Sequence, residues 1–131
     1  MSPRARAWRW VEPAVEYALH DRLIAEHGGL GGIRDRAVIE SAMARPQHLL
    51  TYGKPDAADL SAAYAFGLAR NHGFVDGNKR VAWTVARLFF ARNGLQLKFQ
   101  PIDAIATVER LAAGTISQDE FAQWLRARLT A

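Results

Sequence analysis

The sequence predicts an all-α fold, a compact helical bundle whose central helix follows the loop that begins at His72. Three observations carry that expectation. Half of the 131 residues are hydrophobic, enough to build a core. Apolar residues recur at i, i+3, i+4 and i+7 spacing along several stretches. Helix-start and helix-stop residues bracket those stretches, and only one short segment alternates as a strand would.

The first expected helix runs from Glu12 to His27, with Val15, Leu19 and Leu23 at four-residue steps and Pro13 in its first turn. Gly28, Gly29, Gly31 and Gly32 stop it. This stretch lacks the Gly-Lys-Ser/Thr ending of a P-loop and reads as a turn. Asp35 caps a second helix through Arg45, with Val38, Ile39, Ala42 and Met43 on its apolar side and Pro46 as its stop. Gln47 to Pro55 has no clear helical period and reads as an exposed loop or short hairpin. Asp56 starts a third helix, with Leu60, Ala63, Tyr64, Gly67 and Leu68 on one face and an end near Asn71.

The central helix extends from about Gly77 to Arg92. Val81, Thr84, Val85, Leu88 and Phe89 share its helical spacing, and Trp83 and Phe90 add bulk on other sides. Asn93-Gly94 ends it with a left-handed cap. Leu95 to Phe99 alternates weakly, as a short extended segment would. Pro101 opens another helix that runs to Gly114. Ser117-Gln118-Asp119-Glu120 is a capping box, and it starts a last helix with Phe121, Trp124, Leu125 and Leu129 as its buried stripe.

Length fits one domain over residues 1–131, with 1–12 read as an N-terminal extension. The chain has no cysteine, which excludes disulfides and thiolate chemistry and fits a reducing cytosol. The segment MSPRARAWRW lacks the apolar core of a signal peptide, and no apolar run approaches the roughly 18 residues of a membrane span. A cytoplasmic location is therefore expected. The formal net charge is +4, but the cations are spread along the chain without a basic block. No helix carries a coherent set of base-reading side chains, so direct nucleic-acid binding is not expected.

His72-Gly73-Phe74-Val75-Asp76-Gly77-Asn78-Lys79-Arg80 packs an imidazole, a carboxylate, a carboxamide and two cations into nine positions. A helix N-terminus favours anions through its unpaired N–H groups and its dipole. Gly77 removes bulk where a phosphate would approach, and the N–H groups of Gly77, Asn78 and Lys79 could cradle it. Lys79 and Arg80 add charge, Arg80 with bidentate geometry. Asn78 can donate to a phosphate or fix the loop. Asp76 is a hard oxygen ligand suited to Mg²⁺ carried by nucleotide phosphates, although alone it would read as an N-cap. His72 can accept a proton from an attacking hydroxyl. Phe74 reads as a core anchor. Together these groups suit transfer of a phosphorus-containing group to a hydroxyl, a reaction governed by positioning and charge stabilisation.

These nine residues resemble the signature of the Fic/Doc (Fido) superfamily, His-x-Phe-x-Asp/Glu-Gly/Ala-Asn-Gly/Lys-Arg, with every fixed position present. Leu19-His20-Asp21, the segment at 28–35, Glu40-Ser41-Ala42, Ala44-Arg45-Pro46, Arg70 and Arg92-Asn93-Gly94 resemble the Doc-type ("death on curing") branch. AMP-transferring members usually carry Gly after the motif Asn and a second Arg three residues beyond the first. Lys79 and Trp83 stand at those places.

The resemblance implies a Fic/Doc-like helical bundle and a toxin that, with ATP and Mg²⁺, phosphorylates a threonine of elongation factor Tu and stops translation. It implies His72 as general base and Asp76 as the Mg²⁺ ligand. Asn78, Lys79 and Arg80 would be phosphate ligands, and Arg70 a further phosphate or transition-state contact. It places a target-docking flap at the loop 47–55, where Gln47 to Tyr52 would align a substrate segment. No Ser or Thr is followed four residues later by Glu, so the inhibitory helix of self-restrained relatives is missing. The implied restraint is a small, Phd-like antitoxin. Two other readings remain at this stage: an AMP-transferase acting on a protein hydroxyl, and a catalytically silent module that binds an antitoxin or nucleic acid.

Overall fold

Side-chain caps start three of the six helices. The computed structural model describes residues 7–130, in which α1 is Pro13–His27, α2 Arg36–Tyr52, α3 Ala57–Arg70, α4 Asn78–Arg92, α5 Pro101–Ala113 and α6 Gln118–Arg126. Asp35 accepts from the Val38 N–H at the start of α2. Asp56 with Asp59, and Ser117 with Glu120, form reciprocal capping boxes that open α3 and α6. Asn93 follows α4, and the left-handed residue beyond it is Gly94 (φ 75°). The all-α expectation holds. The only sheet among the described residues is an antiparallel pair of two-residue strands, β1 (Gln96–Leu97) and β2 (Leu129–Thr130), with Leu97 opposite Leu129.

α4 shares the centre of the bundle with α3, which is buried more completely. Eleven of the 14 residues of α3 are buried, and seven of them are alanine or glycine. Small side chains let neighbouring helices approach on several sides at once. At the α2–α3 contact, a Cβ on Gly67 would lie 2.8 Å from the Ala42 Cβ. At the α3–α4 contact, the buried Ser61 hydroxyl donates to the Ala86 carbonyl over 2.9 Å. Arg126 of α6 reaches Asp56 at 2.7 Å and Asp59 at 2.9 Å, tying the last helix to the start of α3. Residues 7–12 pack on the core: Trp8 and Trp10 lie against Phe89, and the Val11 N–H donates to the Tyr64 hydroxyl. Residues 1–6 of the N-terminal extension lie outside the described chain.

Three local expectations are corrected. Pro46 does not stop α2, which continues through it to Tyr52. Pro46 is buried and Leu49 packs on the core, so tertiary burial outweighs the one helix hydrogen bond that proline removes. The segment Gln47 to Tyr52 is therefore helical, and only Gly53 to Asp56 connects α2 to α3. Leu129 belongs to β2, since α6 ends at Arg126. In α1, Val15 is 39% exposed and Leu19 and Leu23 are only partly buried, whereas Glu16 and His20 are the buried residues. α1 turns a polar pair inward because His20 has a dedicated partner beneath it, described below.

Glu16 has no such partner. Both of its carboxyl oxygens are buried without a hydrogen bond among the described residues. Burial pushes its pKa up from 4.5 to about 8. The folded chain thus keeps a proton that the unfolded chain releases as pH rises through the window 4.5 to 8. Stability falls across that window, by up to about 1.4 kcal/mol per pH unit. Urea denaturation at pH 5 and pH 8 should show the midpoint dropping in the wild type and a much flatter response in Glu16→Gln. An unchanged pH slope in the variant would contradict a buried neutral acid.

Candidate active site

The loop from Asn71 to Gly77 joins α3 to α4 and is held by its own side chains. Phe74 is its anchor, as expected: it is 2% exposed and stacks on His20 with ring centroids 3.7 Å apart and planes 10° apart. The His20 Nε2 lies 2.7 Å from the Asp76 carbonyl oxygen. A carbonyl can only accept, so this nitrogen carries the hydrogen. Asn78 is buried, and its carboxamide spans the loop. Its Oδ1 accepts from the Phe74 N–H, and its Nδ2 donates to the Phe74 carbonyl, each over 3.0 Å. Of the two roles open to this side chain, the geometry favours fixing the loop.

A second segment completes the support. The Gly-rich stretch between α1 and α2 is a partner strand for the motif rather than a bare turn. Ile33 bridges Phe74, the Val75 N–H donates to the Gly32 carbonyl over 3.1 Å, and the Gly73 carbonyl accepts from both Arg34 and Asp35. A Cβ at Gly73 would run into Ile39 of α2. This pairing was not legible as an alternating pattern, because a single bridge leaves no repeat. His20 was also missed as a site residue. Its available signal was its spacing from Glu16, two polar residues one helical turn apart on the same side of α1.

The candidate site side chains project from this frame. His72 is exposed and sits in the left-handed region (φ 49°), the only non-glycine residue to do so among those described. Such a conformation costs on the order of 1 kcal/mol and persists only where the surroundings hold it. Asp76 is exposed, its Oδ2 accepting from the Leu30 N–H (3.1 Å) and its Oδ1 from the Gly77 N–H (2.8 Å). These two donors, Leu30 first, hold its carboxyl below the usual carboxylate range. The Arg80 charge acts in the same direction.

Gly77 itself is left-handed (φ 80°) at the N-cap of α4. Its N–H is committed to Asp76, and a Cβ there would meet Ile24 and His20 rather than open space. The Gly77 N–H is thus already hydrogen-bonded within the loop. The N–H groups of Asn78, Lys79 and Arg80 have no acceptor among the described residues, and α4 has no side-chain cap.

Lys79 reaches Glu109 of α5 at 3.7 Å in an exposed pair, which contributes little to stability but keeps the ammonium at the helix start. Arg70 ends α3 with its guanidinium 5.3 Å from the centre of the Phe66 ring and beside Gly114, the C-cap of α5. Trp83 packs edge-on against Phe99 and Trp124, at 5.1 and 6.0 Å between centroids, so position 83 is a packing position. His72 and Asp76 thus lie on the loop, and Lys79 and Arg80 follow in the first turn of α4. Their chemical capacity is to bind an anion, hold a hard cation at one carboxylate and accept a proton.

The model of the Fic/DOC family matches residues 10–90 of the chain, a span that takes in α1 to α3, the whole loop and α4 as far as Phe90. Over 119 residues the chain is 40% identical to "Protein kinase doc" of Escherichia phage P1, covering 90% of this chain and 94% of that protein. It is 47% identical over 73 residues to "Toxin Doc" of Mycolicibacterium smegmatis, covering 53% of this chain and 55% of that protein.

Asn78→Ala removes both carboxamide bonds and leaves the Phe74 N–H and carbonyl unpaired. Loss of such buried bonds costs about 1–3 kcal/mol. Urea denaturation should report a loss in that range, and a variant as stable as the wild type would contradict the bracing role.

Proposed function

This chain belongs to the Fic/DOC family, and from that premise we propose that it transfers the γ-phosphate of ATP to a protein hydroxyl. The observation that carries the reading is the open start of α4. Three N–H groups without an acceptor among the described residues, at Asn78, Lys79 and Arg80, stand beside two cations and an ionised carboxylate, with His72 on the preceding loop. The name of the phage P1 relative, a protein kinase, supports the reaction type. Trp83 supports it as well: the place of the second arginine in AMP-transferring relatives is filled here by a residue packed on Phe99 and Trp124.

In this proposal the α4 amides, Lys79 and Arg80 bind and orient the phosphates, and Arg70 stabilises charge that develops on the transferred group. His72 takes the proton of the substrate hydroxyl as its oxygen bonds to the γ-phosphorus and the bond to the β-phosphate oxygen breaks, leaving ADP. The left-handed backbone at His72 holds the base at the loop surface before substrate arrives.

Mg²⁺ would neutralise the phosphate oxygens when bound. The residues fit that ion: Asp76 is exposed, ionised and fixed by two backbone donors with lone pairs to spare. No group of three or more His, Asp or Glu residues among those described could hold a metal alone, which suits an ion that arrives with the nucleotide.

The substrate in this reading is a threonine of elongation factor Tu, and the biological role is that of a toxin restrained by a small antitoxin. The name of the Mycolicibacterium smegmatis relative supports the toxin role. The incompletely covered side of α1, with Val15 exposed and Leu19 and Leu23 half-buried, supports a protein partner. No helix among the described residues is long and apolar enough to cross a membrane.

Incubating the purified protein with elongation factor Tu and ATP labelled in either the α- or the γ-phosphate tests the reaction. Only γ-label should transfer, and His72→Ala should lower the rate by about 10²–10⁴-fold, as expected for a lost general base. Transfer of α-label, or an undiminished rate in the variant, would overturn the proposal.

A further inference from the structure

We propose that Gly29 and the Leu30 N–H position the Asp76 carboxylate, which makes the α1–α2 connection part of the cation site. The carboxylate has one local donor, the Gly77 N–H, and one from a segment 46 residues away, the Leu30 N–H at 3.1 Å. The second bond requires the backbone at Gly29 to pass directly under the carboxylate. Gly29 is left-handed (φ 110°), and a Cβ built there would lie 2.7 Å from Asp76 Oδ2 and 3.3 Å from Ile24 Cδ1. No side chain fits both restraints. Alanine at position 29 must push the carboxylate away, shift the Leu30 N–H, or both.

The glycines on either side set the contrast. Gly28 is left-handed (φ 82°) but has nothing within 4 Å of its missing Cβ, and Gly31 has neither a left-handed φ nor a neighbour there. Backbone freedom therefore accounts for Gly28, while Gly29 alone of these three also needs the empty volume beside Asp76. Gly29 is a positioning residue, since it acts only through Asp76. A displaced carboxylate keeps its charge but loses its aim. Outer partners that orient a ligating carboxylate are typically worth 10–100-fold in metal affinity.

The consequence for the cation rests on the phosphotransfer reading above; the positional claim does not. Two measurements separate them. In the first, amide spectra are recorded without nucleotide or metal. The Leu30 N–H resonance should move markedly upfield in both Asp76→Ala and Gly29→Ala, because both lose the same hydrogen bond. It should stay in place in Gly31→Ala. A Leu30 resonance indifferent to Asp76→Ala would overturn the proposal.

In the second measurement, free Mn²⁺ is followed by electron paramagnetic resonance as the protein is titrated in the presence of ATP. Gly29→Ala should weaken Mn²⁺ binding to the ATP complex by about tenfold. Gly28→Ala, which carries backbone strain without the contact, should weaken it far less. Combining Gly29→Ala with Asp76→Ala should add nothing to the loss of Asp76→Ala alone. Equal losses at Gly28 and Gly29, or additive losses in the double variant, would overturn the proposal. Absence of Mn²⁺ binding in the wild type would count against the phosphotransfer reading, leaving the amide spectra to decide the position of Asp76.

Discussion

Everything at the start of α4 depends on how the Phe74 ring is buried. A loop of seven residues between two helices has little reason of its own to keep one shape. Phe74 gives it one: the ring leaves water, stacks on His20 and lies beneath a backbone bridge to Ile33. Full burial of such a side chain is worth roughly 1.5–3 kcal/mol, comparable to the cost of the left-handed backbone at His72. The Asn78 carboxamide then closes both polar atoms of the same residue, so the anchor carries no unpaired backbone group.

That anchor also explains the division of labour along the motif. Alternate groups face opposite ways. Phe74 and Asn78 point inward and are spent on structure, while His72, Asp76, Lys79 and Arg80 are exposed. Asp76 joins the two sides. Its carbonyl is held from behind by His20, its carboxylate is held in place by Gly77 and Leu30, and its charge faces out. The polar inner face of α1 follows from this arrangement. His20 is buried because the loop needs a donor there, and Glu16, one turn earlier, shares the buried side without a partner of its own among the described residues.

Helix periodicity and caps were legible because they are local. Asp35, Asp56 and Ser117 cap the helices they were expected to start. The motif that points to the family was legible for a similar reason, since it lies within nine consecutive residues. What was not legible depends on contacts distant in sequence. Pro46 was read as a stop because its local effect is to break a helix, and only its burial and the packing of Leu49 show why α2 continues. The four-residue steps of Val15, Leu19 and Leu23 do not mark the buried face of α1, because apolar spacing is blind to a histidine with a buried partner. Gly29 looked like one glycine among several until the chain placed it under Asp76.

The central claim is that a nucleotide's phosphates enter at the amides of Asn78, Lys79 and Arg80, with the Gly77 amide already committed to Asp76. An amide-resolved titration of the protein with MgATP tests it most directly. The account predicts large, saturable shifts at residues 78–80, with smaller changes at Gly77 and Leu30. Saturable shifts confined to other surfaces, or no shifts at millimolar nucleotide, would contradict it.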